Sequence, residues 1–342
     1  MRIAQIAPLA ESVPPALYGG TERIVAALTD ALVERGHTVT LFASGDSQTA
    51  AHLVPVTPQA LRVSGVQDAL PATLLALRLA FERAAEFDVL HSHVDFAAVP
   101  FARFLPTPVV HTLHGRLDLP EIQPLFAHCT EARLVSISDN QRRLVPDWGW
   151  IATVYNGIDL DHYTFHPHPG TYLAFLGRIT PDKGVEEAIA VAHLTGLPLK
   201  IAAKVDPVDQ DYFDATVRPL LAEPLVEYIG EVDESGKDGF LGQALALLFP
   251  IGWPEPFGLV MAEAMATGTP VIAARYGAVP EVIVDGQTGV ICDSVQEMAI
   301  ACGRIATLER AACRARVADS FSVARMVEGY EAVYRRVVDN VP

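Results

Sequence analysis

The sequence predicts an α/β protein with two doubly wound domains, each a parallel sheet covered by helices. Short, β-rich apolar runs alternate with longer amphipathic stretches, a pattern typical of parallel strands joined by crossover helices. The length of 342 residues fits two domains of roughly 150 residues each. The stretch 156–170, NGIDLDHYTFHPHPG, interrupts the alternation with turn-forming residues and no apolar period. We interpret 156–170 as the linker between the domains.

The first domain is predicted to comprise residues 1–155. Met1–Ile6 has the composition of a first strand, and Thr21–Arg35 has apolar residues at helical spacing until Gly36 ends the helix. Further apolar runs predict the remaining strands, at His37–Ala43, Val89–His91, Val109–His111, Leu134–Ile137 and Thr153–Tyr155.

The second domain is predicted over residues 171–320, where the alternation restarts. Val185–Leu194 is its clearest helix, and its strands are expected at Tyr172–Leu176, Leu199–Ala203, Leu225–Ile229, Leu245–Phe249 and Pro270–Ala274. Residues 321–342 form a terminal helical segment that either packs on this domain or crosses back to the first. Two such domains on one linker enclose a cleft, and ligands of these sheets bind outside the carboxyl ends of the strands.

Charge and composition exclude several classes of partner. The chain carries 25 Lys and Arg against 41 Asp and Glu, a formal charge of -16, which repels nucleic acids and anionic membranes. No run of about 18 apolar residues predicts a membrane span, and the N-terminus lacks the pattern of a signal peptide, so we expect a cytoplasmic protein. A small anionic ligand would need a local cluster of positive groups.

The most informative segment is PEPFGLVMAEAMATGTPVI at 254–272. It predicts a loop carrying Glu255, then a helix that starts near Gly258, carries Glu263 and stops at Gly268. Free N–H groups at a helix start bind anions, and glycine lets a phosphate approach the backbone closely. Solvated helix charges are the alternative interpretation, but the two glutamates around a Phe-Gly turn and a small-residue helix favour a ligand site.

Two further loops at strand-to-helix transitions carry candidate phosphate contacts. In GRITPDKG at 177–184, Arg178 and Lys183 lie between glycines, and two fixed cations can neutralise the charge that develops on a diphosphate leaving group. Gly19 and Gly20 precede the first helix and are compatible with a nearby phosphate. Isolated loop glycines or lysines would not carry this interpretation alone.

Histidines follow two predicted strands. His91, His93 and Asp95 have HxHxD spacing, which supports a rival hypothesis of a metal-dependent hydrolase. No second ligand cluster at a suitable spacing completes a binuclear site, so we favour a polar lining of the cleft. His114, which precedes Gly115, is better placed to contact a ligand.

Taken together, these motifs resemble the retaining family 4 glycosyltransferases, of the glycogen-synthase-like E-x7-E group. The resemblance extends along nearly the whole chain and includes the glycine pair, DVLHSH, VVHTLHG, SISDNQR, YNGID and GRITPDKG. The spacing of Glu255 and Glu263 with the Arg178 and Lys183 pair carries most of its specificity. It implies the GT-B architecture, in which two Rossmann-like domains face each other across a cleft, with the acceptor on the first domain and the donor on the second. It also implies that the terminal helix crosses back to the first domain.

The resemblance implies a nucleotide-diphosphate sugar, most simply a UDP-sugar, as donor. Arg178 and Lys183 would bind its diphosphate with help from the amides of Gly20, Leu259 and Val260. Glu263 would contact the ribose hydroxyls, and the turn that contains Val232 would lie near the base.

For the transferred sugar, the resemblance implies contacts from Glu255, the Phe257-Gly258 backbone and His114. Transfer to an acceptor hydroxyl would retain the anomeric configuration, with a phosphate oxygen assisting deprotonation and with neither a metal nor another cofactor. The acceptor would be a small molecule or an oligosaccharide. The chain is also similar overall to enzymes that glycosylate antibiotic oligosaccharides, such as those of the avilamycin (orthosomycin) pathway.

The chain departs from the family pattern at two places. Lys204 stands where many relatives have a glycine-rich turn, and Ala274-Arg275-Tyr276-Gly277 replaces a more usual double glycine; both bear on donor specificity. Besides the hydrolase hypothesis, a non-catalytic nucleotide- or sugar-binding protein is an alternative, since a fold alone does not establish catalysis.

Overall fold

Two separate parallel sheets organise the chain. The computed structural model describes residues 1–339, which divide into one unit of Met1–Gly157 plus the C-terminal stretch from Val323, and a second unit of Ile158–Ser322. Both sheets carry helices in their crossover connections. The α/β, doubly wound fold class predicted from the sequence is confirmed.

The sheet of the first unit has the strand order β3-β2-β1-β4-β5-β6-β7, and all its neighbouring strands are parallel. Its strands are β1 (Arg2–Ile6), β2 (Thr38–Ser44), β3 (His52–Thr57), β4 (Val89–Ser92), β5 (Val109–Leu113), β6 (Arg133–Ser136) and β7 (Trp150–Thr153). Its connecting helices are α1 (Gly20–Glu34), α2 (Leu70–Glu82), α3 (Val99–Ala102), α4 (Gln123–His128) and α5 (Asp139–Arg143).

The helix predicted for this unit and most of its strands match the sequence prediction, whereas two strands do not. Helix α1 lies within one residue of its predicted bounds and buries the predicted face of Ile24, Val25, Leu28 and Leu32. Strand β7 begins three residues before its predicted start and ends two residues before its predicted end. Strand β3 was not predicted, because it is an edge strand with an internal proline and a mostly solvated surface.

The sheet of the second unit has the order β10-β9-β8-β11-β12-β13 and is also parallel. Its strands are β8 (Tyr172–Arg178), β9 (Leu199–Lys204), β10 (Val226–Gly230), β11 (Ala244–Phe249), β12 (Val271–Ala274) and β13 (Gly289–Cys292). Its helices are α6 (Val185–Thr195), α7 (Gln210–Tyr212), α8 (Arg218–Leu220), α9 (Glu234–Gly242), α10 (Leu259–Ala266), α11 (Val279–Val282), α12 (Val295–Cys302) and α13 (Arg310–Ser320).

Short turns of other helical types complete the connections. The 3-10 turns lie at Ala84–Glu86, Pro120–Ile122, Leu160–His162, Pro181–Lys183, Pro207–Asp209 and Ile305–Thr307, and a π-helical turn, Phe213–Val217, joins α7 to α8.

The two sheets share one topology, with a switch point beside the first strand of each. Strand β1 lies between β2 and β4, and β8 lies between β9 and β11, the order found in dinucleotide-binding folds. Connections leave such a strand pair in opposite directions, so a crevice opens at their carboxyl ends. In the second unit, this crevice is bordered by the loops that follow β8 and β11.

The last helix, α14 (Val323–Asp339), belongs to the first unit and packs on α1 and β4. It buries one face, which includes Met326, Tyr330 and Tyr334. Glu331 pairs with Arg35 and with the ring of His37, at 3.4 and 3.0 Å. Residues 340–342 of the predicted terminal segment lie outside the described residues.

The segment predicted as a linker, 156–170, divides between the units after Gly157. From Ile158 onward it is bonded to the second unit by two arginines of α13. Arg314 donates to the carbonyl oxygen of Tyr163 at 2.7 Å, and Arg310 donates to that of His166 at 2.6 Å. Within residues 1–339, no helix is both long and apolar enough to cross a membrane.

Candidate functional site

The loops after β8 and β11 are packed tightly against each other at the switch point of the second unit. Gly184 has a φ of +76°, and a Cβ atom there would lie 2.1 Å from the carbonyl oxygen of Pro250. Only glycine tolerates both the backbone angle and the approach. The amide of Gly252 also donates to the carbonyl oxygen of Asp182 at 2.9 Å. The two loops are therefore locked together by backbone contacts.

This contact brings Lys183 and Glu255, 72 residues apart in sequence, into an ion pair. The Lys183 Nζ lies 2.5 Å from Glu255 Oε2, and both side chains are largely buried. The ammonium also lies 5.2 Å from the centre of the Trp253 ring, within reach of a cation–π interaction. Two of the predicted catalytic residues are thus direct neighbours.

The backbone of Glu255 is held from the other side by the loop before α11. A Cβ atom at Gly277 would lie 2.3 Å from both the nitrogen and the oxygen of Glu255. The amide of Ala278 donates to the carbonyl oxygen of Glu255 at 2.9 Å. The segment in which the chain departs from the family pattern is therefore the support of the Glu255 loop, and Tyr276 within it is half exposed.

Helix α10 begins directly after this loop. Gly258 precedes it with a φ of +79°, and its first turn contains no acidic residue. The first N–H groups of a helix, here those of Leu259 and Val260, have no acceptor within the helix. The Phe257 side chain is buried and packs edge to face on Phe321, so only its backbone can face a ligand.

Glu263 is nearly buried in α10 and has a basic partner that the sequence interpretation missed. Its Oε1 accepts from Lys237 Nζ at 2.9 Å, and Lys237 lies 3.3 Å from Glu234. In sequence, Lys237 has only the spacing of a surface pair with Glu234 on α9. Val232, predicted to lie near the base, is half buried just before α9.

Arg178 ends β8 opposite Lys204 of β9. Both cations contact the carboxylate of Asp206, Arg178 at 3.4 Å and Lys204 at 3.1 Å. Sequence reasoning singled out Lys204 as a departure and missed Asp206. The end of β9 thus adds a third cation and a shared carboxylate beside the predicted pair.

The predicted residues of the first unit lie at the carboxyl ends of its strands. Gly19 and Gly20 open α1, and Gly19 sits against Pro15, where a Cβ would approach to 2.7 Å. Glu22 in the same turn is nearly buried, and burial raises the pKa of its carboxyl. His114 follows β5, and burial lowers the pKa of its ring to about 4.

The hydrolase hypothesis requires free ring nitrogens on His91 and His93, and the structure engages all four. His91 Nδ1 bonds Tyr334 Oη and its Nε2 bonds Thr112 Oγ1, both at 2.7 Å. His93 Nδ1 bonds His114 Nε2 at 2.9 Å, and its Nε2 bonds Gln5 Oε1 at 2.8 Å. Among residues 1–339, no three His, Cys, Asp or Glu side chains are grouped as metal ligands would be. These histidines form a hydrogen-bond network instead.

Two family models match consecutive parts of the chain. The model described as Glycosyltransferase Family 4 matches residues 18–162, and that described as Glycosyl transferases group 1 matches residues 163–318. Glycogen synthase of Mycobacterium tuberculosis is 28% identical over 82% of this chain and 80% of its own length. Phosphatidyl-myo-inositol mannosyltransferase of the same species is 28% identical over 92% of this chain and 90% of its own.

Solved structures share the fold over nearly the full length. AviGT4, a glycosyltransferase involved in avilamycin A biosynthesis, aligns with a TM-score of 0.76 and 24% identity over 99% of this chain and 98% of its own. Sucrose-phosphate synthase from Thermosynechococcus elongatus aligns with a TM-score of 0.80 and 19% identity, with 99% of each chain covered. HepE of Anabaena, in complex with UDP and glucose, aligns with a TM-score of 0.78 and 18% identity over 98% of this chain and 100% of its own. With family models matched from residue 18 to residue 318, the chain belongs to the family 4 glycosyltransferases and has the GT-B fold.

Proposed function

We propose that this glycosyltransferase moves a sugar from a UDP-sugar to an acceptor hydroxyl with retention of anomeric configuration and without a metal ion. The observation that carries the proposal is the junction of the loops after β8 and β11, where the Lys183 and Glu255 pair borders the start of α10. In a chain with a formal charge of -16, this junction combines cations with free helix amides at a switch point, where nucleotides bind in such sheets.

In this proposal, Arg178 and Lys183 bind the donor diphosphate together with the amides of Gly20, Leu259 and Val260. As the sugar leaves, negative charge grows on the diphosphate, and fixed cations stabilise it without reorganisation. Lys204, which shares Asp206 with Arg178, lies at the same strand ends. These groups supply the charge stabilisation that many other transferases obtain from a divalent ion.

Glu263 binds the ribose hydroxyls, and the turn with Val232 lies near the base. Glu255, with the Phe257-Gly258 backbone, holds hydroxyls of the transferred sugar, and His114 contacts the same sugar from the first unit. Because Lys183 bonds Glu255 directly, one ion pair links the diphosphate contact to the sugar contact.

The first test is binding. Unfolding temperatures are measured with UDP, UDP-glucose, UDP-N-acetylglucosamine, GDP-mannose and ADP-glucose, with and without EDTA. A ligand at 100 times its dissociation constant adds about 2.7 kcal/mol to the unfolding free energy, and we expect this from UDP-sugars in EDTA. A flat response to every nucleotide would contradict the proposal, and a response that EDTA abolishes would contradict metal independence.

Lys183→Ala should remove the shift and lower kcat/KM by roughly 10²- to 10³-fold, as loss of one charge-stabilising group does. Lys200→Ala is the matched control, since Lys200 lies at the amino end of β9 and pairs with Glu227. If binding persists in Lys183→Ala and no turnover is found in either protein with any acceptor, a non-catalytic binding protein is the better description.

We further propose a small-molecule or oligosaccharide acceptor, specifically an intermediate of antibiotic oligosaccharide assembly. The overall similarity to enzymes of this kind supports it. A panel of such oligosaccharides, with glycogen and phosphatidylinositol as competitors, tests it by radiolabelled sugar transfer. The anomeric coupling constant of the isolated product, compared with that of the donor, decides between retention and inversion.

A further inference from the structure

Three neighbouring strands of the first unit place polar side chains in one row at their carboxyl ends. Gln5 lies in β1, His93 follows β4, and His114 follows β5. Tyr334 of α14 joins the row from the helix packed over it. Successive side chains are hydrogen-bonded, Tyr334 to Gln5 at 3.2 Å, Gln5 to His93 at 2.8 Å and His93 to His114 at 2.9 Å. We call these four side chains the relay.

The orientation of the Gln5 amide gives the relay a direction, and the donors and acceptors of the other members follow from it. The Gln5 amide donates through Nε2 to Tyr334 and accepts through Oε1 from His93 Nε2. A neutral imidazole protonated on Nε2 has its lone pair on Nδ1, so His93 Nδ1 accepts from His114 Nε2–H. His114 is then unprotonated at Nδ1, an atom with no hydrogen-bond partner in the described part of the chain.

This assignment of protons requires neutral histidines, and the buried surroundings favour the neutral form. Gln5, His93 and Tyr334 are at most 1% exposed. Burial lowers the pKa of both relay histidines, and the neighbouring imidazoles act on His93 in the same direction. The carboxyl of Asp95, an exposed residue, accepts from the backbone amides of His114 and Gly115.

We propose that Tyr334, Gln5 and His93 are positioning residues that hold His114 in one neutral tautomer, with Nε2 protonated and Nδ1 available to accept a sugar hydroxyl. The role at the sugar rests on the proposed function. A neutral acceptor suits this place, because positive charge develops on the transferred sugar as its bond to the diphosphate breaks, and a cationic imidazole would oppose it.

The tautomer is read directly by NMR. The full chain is labelled with 15N-histidine, and long-range proton–nitrogen correlations distinguish protonated from unprotonated ring nitrogens. We expect a protonated Nε2 and an unprotonated Nδ1 for His114 at pH 7. The opposite tautomer, or an averaged pair of nitrogen shifts, would overturn the proposal.

Two variants test the coupling. Tyr334→Phe removes the acceptor of the Gln5 amide, so the amide can rotate and reverse the relay, and the opposite tautomer of His114 should become populated. Gln5→Met removes the link itself and should give averaged His114 shifts. Tyr172→Phe is the control, because it deletes a buried hydroxyl within the second unit, where Tyr172 donates to the carbonyl oxygen of Phe240. This variant should leave the His114 shifts unchanged. Unchanged shifts in both relay variants would refute the coupling.

A kinetic measurement connects the relay to transfer. In Gln5→Met we expect the kcat/KM for UDP-glucose to fall about tenfold, the equivalent of one hydrogen bond, while the thermal shift produced by UDP alone stays unchanged. An unchanged kcat/KM would overturn the role at the sugar. If the wild type binds neither UDP nor UDP-glucose, the proposed function fails, but the NMR result still decides whether the relay exists.

Discussion

Replacing His111 by leucine should make the first unit less sensitive to acid. His111 lies in β5 and is fully buried, and neither of its ring nitrogens has a hydrogen-bond partner among residues 1–339. Burial lowers the pKa of its ring to about 3, and the nearby charge of Arg133 adds to the effect. The ring therefore stays neutral in the folded protein at a pH where it is protonated in the unfolded chain.

The magnitude follows from linkage between protonation and folding. The unfolded ring takes up its proton near its ordinary pKa of 6.5 and the folded ring only near 3, so stability is lost as the pH falls through 6.5. Between pH 7 and pH 5 the loss through one such group is about 2 kcal/mol. This loss of stability barely depends on the pKa of the ring in the folded state, because any such pKa below about 4 leaves the ring neutral at pH 5. His91 and His93, whose pKa values burial also lowers, add losses of the same sign.

The assay is urea unfolding at pH 7 and pH 5, followed by tryptophan fluorescence. A Trp253→Phe background leaves Trp148 and Trp150, both in the first unit, as reporters of that unit. At pH 7 the variant should lie within about 1 kcal/mol of its background, since leucine removes buried polar atoms that lack partners. The difference between pH 7 and pH 5 should shrink by about 2 kcal/mol.

The matched control is His52→Leu, the same substitution at an exposed position of strand β3, which should leave the pH dependence unchanged. An equal pH dependence in His111→Leu and its background would refute the reasoning. So would a large loss of stability at pH 7, because it would mean that the ring makes favourable contacts in the folded state.

The remaining predictions concern the second unit. Gly184→Ala should lower kcat/KM more than tenfold and reduce stability, because its Cβ would meet a backbone carbonyl. Gly196→Ala is the control, since Gly196 has a similar φ with open space around it. This control should cost only about 1 kcal/mol of unfolding free energy and leave activity unchanged. Arg310→Leu removes the buried guanidinium that donates to three backbone carbonyl oxygens and should cost about 3 kcal/mol or more in urea unfolding. An unchanged midpoint would contradict this. Lys237→Met removes a basic partner of Glu263 and should raise the KM for UDP-glucose with little change in kcat, whereas a fall in kcat alone would place Lys237 elsewhere in the mechanism.

Much of the fold could be predicted because its signals are local. Alternating apolar runs indicated parallel strands, and the helical period of α1 located its buried face. Strand β3 was not predicted because edge strands are solvated and need no continuous apolar run. The apolar face of α14 indicated a packed helix, but it is compatible with packing on either unit, so the partner surface lies outside what periodicity can decide.

The candidate site likewise has parts that the sequence could predict and parts that it could not. Its loops could be predicted, because turn glycines and charged residues between a strand and a helix are visible in sequence. The partners Lys237 and Asp206 could not, since each meets its site residue only through the placement of separate elements.

The sequence by itself determined the α/β class, the two-unit organisation and the loops that border the proposed donor site, because these depend on residue period and on local turn chemistry. Only the tertiary structure decided that Lys183 pairs with Glu255 and that Tyr334 joins Gln5, contacts that span 72 and 329 residues. The order of strands in a sheet and the surface on which a helix docks depend on long-range packing, and that order places distant side chains side by side.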